Sequence, residues 1–263
     1  MSVNGDFYRF DSGELVPITH ALAERLSVAD SFLVVDGQSI ALDRHFTRFA
    51  SSVSEFENLD LKDFFESVKS VIPSRGEWFP RLEYRDSQPS GQRLFLRMRQ
   101  APERTETLTL WTYSDPDLRE KPRTKGPDLS LCQQIRRTAN LHGADEAVLL
   151  SPDGFISDGA LSSIVWVKDD TLFAPDDSTA WLPSVTREIV IELAMQAGFE
   201  VRTVSAKPSD LDGAEVWSLS ALQGIRAATA WKGVNLAAPR LYQPFRKRLS
   251  MLLQPISAVS RLR

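Results

Sequence analysis

Four stretches carry residue types that could do chemistry. Lys125 stands in PRTKGPDLS, residues 122–130, directly before Gly126 and Pro127, which fix its backbone. A lysine amine held near neutrality can attack a carbonyl and form a Schiff base; otherwise Lys125 is a solvated lysine in a linker. Asp158 stands in ISDGALSSI, residues 156–164, after a run that should be buried. A carboxylate there needs a partner, unless it is a turn aspartate satisfied by backbone amides. In LPSVTREIV, residues 182–190, a proline precedes Ser184, Val185 and Thr186 at the start of a helix. Free amides and a hydroxyl at that place bind anions, phosphate in particular; the simpler reading is an N-cap by Ser184. Arg48, in RHFTRF, lies on the polar side of its helix among apolar neighbours. It is suited to bidentate phosphate pairing, or is an ordinary surface arginine.

Together the four supply a lysine for an aldehyde, a carboxylate for a ring nitrogen, and an arginine plus a helix start for a phosphate. Those are the needs of pyridoxal 5'-phosphate.

Elements must position these residues. SFLVVDG and QSIAL read as two strands around a turn at Asp36-Gly37. LDRHFTRFASSVSEF spaces Leu42, Phe46, Phe49, Val53 and Phe56 as a helix, with Asp43 as N-cap. DLKDFFESVKSVI is a second helix, started by Asp60. WFPRLEYR, QRLFLRMRQ and ETLTLWTY alternate as strands. SDPDLREKPRTKG, residues 114–126, is polar and proline-bearing, the signature of an interdomain connection. PDLSLCQQIRRTANLHG then reads as a helix from Asp128 to Gly143. EAVLLSPDGFISDG and SSIVWVKDDTLFAP each give two strands, SVTREIVIELAMQAGF a helix closed by Gly198, and EVRTVSA and EVWSLSALQGIRAATAW further strands. The fold class is α+β. The expected domains are 1–113, small and N-terminal, a linker over 114–124, and a larger, strand-rich cofactor-binding domain over 125–263.

The 263-residue chain has a formal net charge of −4, without the basic face that nucleic acid requires. It contains no apolar run of membrane-spanning length, and its N-terminus lacks the n- and h-regions of a secretory signal. Cys132 is the single cysteine, so there is no disulfide framework or thiolate metal cluster. His20, His45 and His142 have no zinc-like spacing. The expectation is a cytoplasmic protein. Cys132 reads as core and His45 as structural; Arg226 reads as a surface residue. The tryptophans at 111, 166, 181 and 217 read as packing.

The ordered motifs HFTRF, Lys125, GADEAVLL, DGFISDG, LPSVTR and ALQGIRAATA resemble the class IV aminotransferases, the fold-type-IV pyridoxal-phosphate enzymes. These include branched-chain and D-amino-acid aminotransferases and aminodeoxychorismate lyases, whose corresponding motifs are GADEALLL, DGxxxEG, LPGITR and SxxGIxPV. The separation of Lys125 from Ala144 matches the family spacing; Lys121 misses it by four residues. The resemblance covers most of the chain and implies a D-amino-acid-aminotransferase-like fold of two domains and a homodimer with its site near the interface. It makes Lys125 the Schiff-base lysine and proton carrier. Asp158 becomes the partner of the pyridine nitrogen, and Arg48, Val185, Thr186 and Ala221 the phosphate-binding positions. Arg99 becomes the arginine that in D-amino-acid enzymes helps hold a substrate carboxylate.

The chain departs from the pattern in places. Asp158 is one methylene shorter than the family's glutamate, Ser163 replaces an asparagine, Ser184 a glycine, and Ala221 a Thr or Ser. Leu129 stands where branched-chain enzymes have a tyrosine, Gln100 follows Arg99 in place of glycine, and RLSVADSFLVVDG replaces a conventional pocket-shaping segment. The activity implied is transfer of an amino group between an amino acid and a 2-keto acid. The alternatives are a lyase that releases pyruvate from aminodeoxychorismate and a non-catalytic cofactor-binding member.

Overall fold

The computed structural model describes residues 5–19 and 25–256; His20 and the first four residues lie outside that set. The chain forms two compact units. One runs to Glu103 and takes in Thr124–Pro127 and the stretch from Leu252; the other comprises Arg104–Arg123 and Asp128–Met251. Residues 104–123, read from sequence as a strand and a connection, therefore group with the second unit.

The first unit opens with the antiparallel pair β1 (Asp6–Asp11) and β2 (Glu14–Pro17). β3 (Val28–Ser31) is followed by the hairpin of β4 (Val34–Val35) and β5 (Gln38–Ile40). Asp36 and Gly37 hold φ of 48° and 71° at its tip, the backbone a two-residue I′ turn demands. Then come α1 (Leu42–Ser54), α2 (Lys62–Val71), β6 (Glu77–Trp78), β7 (Arg81–Tyr84) and β8 (Leu94–Met98). The main sheet has the order β2-β1-β8-β7-β3. Period-2 alternation sends Leu82, Tyr84, Leu94, Leu96 and Met98 into one core with Phe46, Phe49, Phe64 and Val68 of the helices. Asp43 is not the cap of α1: Ala41 holds that position at φ 49°, and Asp43 sits in the first turn, where its charge favours the helix start. Asp60 does bond the start of α2, accepting from the Lys62 amide at 3.0 Å.

The second unit contains β9 (Thr107–Thr112), α3 (Leu129–Leu141), β10 (Glu146–Leu150), β11 (Ile156–Gly159), β12 (Ser163–Lys168), β13 (Thr171–Pro175), α4 (Val185–Gln196), β14 (Glu200–Val204), β15 (Glu215–Ser220), β16 (Gly224–Trp231) and α5 (Tyr242–Ser250). A mixed sheet runs β11-β10-β9-β16-β15-β12-β13-β14. Ala147 and Leu149 pack under Ile135 and Ala139 of α3, while Val148 joins Ile164, Trp166 and Val216 on the opposite face. This double burial explains why its strands read as apolar runs. Cys132 is buried on α3. Arg226 is buried too, against the surface reading, because β16 lies inside the sheet. β17 (Leu253–Pro255) returns to the first unit and pairs with β5.

At the N-cap of α3 the Asp128 carbonyl accepts the Cys132 amide at 2.9 Å, but its side chain makes no cap hydrogen bond; its carboxylate accepts the amides of Glu120 at 3.1 Å and Lys121 at 2.8 Å. At α5 a remote residue does the capping. The buried Glu215 side chain accepts the amides of Arg240, Leu241 and Tyr242 at 2.8–3.1 Å and the Trp217 indole N–H at 2.8 Å. Neither α5 nor the β1–β2 pair is legible in the sequence. The helix is short, basic, and carries Pro244 in its first turn, where proline is tolerated. Glu215→Ala should lower unfolding free energy by about 2–4 kcal/mol, because it removes the acceptor of three backbone amides and an indole N–H at once. Urea denaturation measures this; Glu215→Gln should lose less.

Candidate active site

In the first unit, β3 positions three of the residues singled out from sequence. The Ala29 amide donates to the Lys125 carbonyl at 2.7 Å. This close approach requires glycine at 126: its φ is 138°, and a Cβ there would lie 2.8 Å from the Ala29 nitrogen. The next residue, Asp30, is fully buried and holds Arg48 in a bidentate pair, Nε to Oδ2 at 2.7 Å and Nη2 to Oδ1 at 2.8 Å. His45 Nδ1 lies 2.8 Å from the same Oδ1. Burial alone would raise the Asp30 carboxyl; Arg48 and His45 outweigh it and hold the group well below the usual carboxylate range. The third residue, Ser31, accepts from Arg99 Nη2 at 3.4 Å, and Arg99 Nε donates to the Phe79 carbonyl at 3.1 Å.

In the second unit, Asp158 of β11 is buried, as its apolar run implied. Its Oδ2 accepts the Leu182 amide at 2.9 Å, with Arg119 Nη1 at 3.8 Å. Its Oδ1 is buried and has no hydrogen-bond partner. Burial pushes the carboxyl up to about 6; Arg119, the Leu182 amide, Arg187 and the Ser163 hydroxyl offset burial only in part.

The segment that supplies Leu182 leads into α4. Ser184 caps the helix, its Oγ accepting the Arg187 amide at 3.2 Å. Val185 and Thr186 are the first two helical residues, both buried, so their amides have no intrahelical acceptor. Arg187, also buried, donates to the Pro175 carbonyl at 2.7 Å and lies 4.0 Å from the Trp181 ring centroid. Ala221 is half-buried in the turn between β15 and β16, where Ser220 Oγ accepts the Gln223 amide at 3.2 Å. Thus Lys125, Arg48 and Arg99 belong to the first unit, and Asp158, Val185, Thr186 and Ala221 to the second.

Arg119 is the residue that sequence reading missed. It sits in the polar tract read as a connection, yet its side chain is only 4% exposed, so the tract is anchored rather than loose. Asp117 binds it at 2.7 Å, and it donates to the Ala180 carbonyl at 2.5 Å. The proximity of Asp117 was its only signal in the sequence.

A family model described as "Amino-transferase class IV" matches residues 27–231. The branched-chain-amino-acid aminotransferase of Salmonella typhimurium is 42% identical over 95 residues, 36% of this chain and 31% of that enzyme. The match thus spans about a third of that relative's length. Among solved structures, a hypothetical aminotransferase from Mycobacterium tuberculosis, in a form bound to alpha-ketoglutarate and PMP, superposes with a TM-score of 0.82 at 18% identity, covering 97% of this chain and all of that one. A putative 4-amino-4-deoxychorismate lyase from Legionella pneumophila gives 0.76 at 16% identity, covering 89% of this chain and 96% of that one. These likenesses show the fold.

The half-satisfied Asp158 has a measurable consequence. Its folded value of about 6 lies above the ordinary 3.8. Below pH 4 it contributes nothing; stability falls as pH rises from 4 to 6, and the full penalty persists above 6. Asp158→Asn should therefore stabilise the cofactor-free protein by about 2–3 kcal/mol at pH 7. Thermal unfolding across pH should show the gap closing toward pH 4.

Proposed function

The chain belongs to the class IV aminotransferases, and from that premise we propose that it is a pyridoxal-phosphate enzyme moving an amino group between an amino acid and a 2-keto acid. The observation that carries the reading is Asp158 Oδ1, a buried carboxylate oxygen with no donor. A protonated ring nitrogen is a donor of the right charge, and its positive charge would offset the burial that raises Asp158. The acidic partner and a helix start with unused amides lie in one unit, linked through Leu182. The residues present fit the group.

Bound pyridoxal phosphate would supply an electron sink for charge developing at the substrate α-carbon. Asp158 would hold the ring nitrogen protonated. The amides of Val185 and Thr186, the Thr186 hydroxyl and Arg48 would hold the phosphate, with Asp30 fixing the plane of the Arg48 guanidinium. Ala221 would offer only its amide. Lys125 would supply the amine that anchors the cofactor and then carry the proton from the α-carbon, its backbone held against β3 by Gly126. Arg99 would take a substrate carboxylate. A cytoplasmic homodimer completes the proposal. Among the described residues, no helix is long and apolar enough to cross a membrane.

A second reading, a lyase that releases pyruvate, is favoured by the likeness to the Legionella protein and by the altered positions Ser163, Ser184 and Ala221. Two experiments test these readings. Added pyridoxal phosphate should give a visible absorption band that borohydride abolishes, leaving the label on the peptide containing Lys125. Lys125→Ala should show no such band; absence of the band in wild type, or a label on another lysine, sinks the assignment. An amino acid given alone should then release its keto acid stoichiometrically. Pyruvate release from aminodeoxychorismate without that half-reaction would select the lyase.

A further inference from the structure

Arg48 and Arg119 each stand beside a buried aspartate, and they treat it differently. Arg48 closes on both oxygens of Asp30 at 2.7 and 2.8 Å. Arg119 Nη1 stops 3.8 Å from Asp158 Oδ2, inside ion-pair reach but outside hydrogen-bond reach. A guanidinium free to choose beside a buried carboxylate would form the paired fork that Arg48 forms.

Asp117 makes the difference. Arg119 Nε lies 3.0 Å from both Asp117 oxygens, and Nη2 lies 2.7 Å from Oδ2. Asp117 Oδ1 also accepts the Arg119 backbone amide at 3.1 Å, so the carboxylate is tied to the residue it holds. Nη2 donates in addition to the Ala180 carbonyl at 2.5 Å. That leaves Nη1 turned toward Asp158. The side chains of Asp117, Arg119 and Asp158 are 14%, 4% and 5% exposed, so water screens little of their charge.

The pair also grips one short segment from both ends. Arg119 holds the carbonyl of Ala180, and Asp158 Oδ2 holds the amide of Leu182 at 2.9 Å. Two residues later Ser184 caps α4. Asp158 is faced by Arg119 and Arg187, the Leu182 amide and the Ser163 hydroxyl. Arg119 is faced in turn by Asp117, Asp158 and Cys132. Of these groups, Asp117 is the one that competes with Asp158 for the fork.

We infer that Arg119 is a positioning residue for Asp158, and that Asp117 is the tether holding it at a distance, so that its charge supports the carboxylate while Oδ1 stays open to a ring nitrogen. This rests on the cofactor reading of Asp158 and adds the device that keeps the site open. Without Arg119, burial acts on Asp158 with one opposing cation fewer. Without Asp117, Arg119 closes on Asp158 and takes the oxygen a cofactor needs.

The test titrates the Asp158 carboxyl in the cofactor-free, full-length protein. Its carbon-13 resonance is the aspartate signal missing in Asp158→Asn. Arg119→Met should move the midpoint up by about one pH unit or more, and Arg119→Lys should restore part of the shift. Asp117→Asn should move the midpoint down. A merely structural Arg119 would lower the Tm and leave the midpoint where it was. If Arg119→Met does not fold, the Asp117→Asn titration decides alone. Asp117→Asn should also weaken pyridoxal phosphate by about tenfold or more, the loss of one charged hydrogen bond. The analogue with carbon in place of the ring nitrogen should lose much less. An unchanged midpoint in Asp117→Asn, or equal weakening of cofactor and analogue, overturns the inference. A wild type that shows the absorption band while its variants show no shift defeats only this inference. Shifted midpoints in a protein that gives no band defeat only the cofactor reading.

Discussion

The buried carboxylate of Asp30 is the interaction on which the first unit's functional geometry depends. It is a full charge with no exposure to water, and it persists because Arg48 and His45 of α1 meet it at 2.7–2.8 Å. Removing either side would leave the other charge buried and unpaired, a loss of about 3–5 kcal/mol in comparable pairs. The pair ties α1 to β3, and β3 in turn ties Lys125 through Ala29 and Arg99 through Ser31. Three consecutive residues of a four-residue strand thereby set three candidate site residues. The same strand faces two ways: Asp30 points toward the helices, and Ala29 and Ser31 share a face with Glu83 and Arg81.

The second unit uses a carboxylate in the opposite manner. Asp158 is as buried as Asp30, but its nearest cation stands off at 3.8 Å and one oxygen has no donor. Two aspartates with the same intrinsic chemistry are thus driven in opposite directions by their surroundings. Asp30 is satisfied by the protein itself, which marks it as structural. Asp158 keeps one oxygen open to a donor. Glu215 belongs with Asp30: three amides and an indole satisfy it, and its work is to hold α5.

Much of this was legible in the sequence because local signals and tertiary packing agree. The apolar spacing of α1 and α3, the Asp36-Gly37 turn and the Ser184 cap each depend on neighbours a few residues away. The burial of Asp158 followed from the apolar run around it. What escaped depends on distant partners. Asp30 is an acid inside a strand, unremarkable until α1 brings Arg48 eighteen residues later. Arg119 sits in a proline-bearing charged tract, and only the Ala180 carbonyl, sixty-one residues on, reveals that it is buried. The capping of α5 by Glu215 spans twenty-seven residues to Tyr242. The β1–β2 pair faces solvent along much of its length, so its alternation is weak.

Unsatisfied polar atoms separate function from architecture here. A fold held only by its own stability would pair every buried donor and acceptor, since each unpaired group costs about 1–3 kcal/mol. Among the described residues, buried polar atoms of Arg9, Arg97, Asp158, Arg187, Ser218 and Arg226 have no hydrogen-bond partner, while Asp30, Glu83 and Glu215 are met by several donors each. Asp158 Oδ1 is the carboxylate oxygen in that set, and it shares its carboxyl with the Leu182 amide that leads into the start of α4; a cationic donor would complete it. The local instability that the half-satisfied Asp158 creates in the unliganded protein would become binding energy on meeting a cationic donor, so one residue would lower stability and raise affinity.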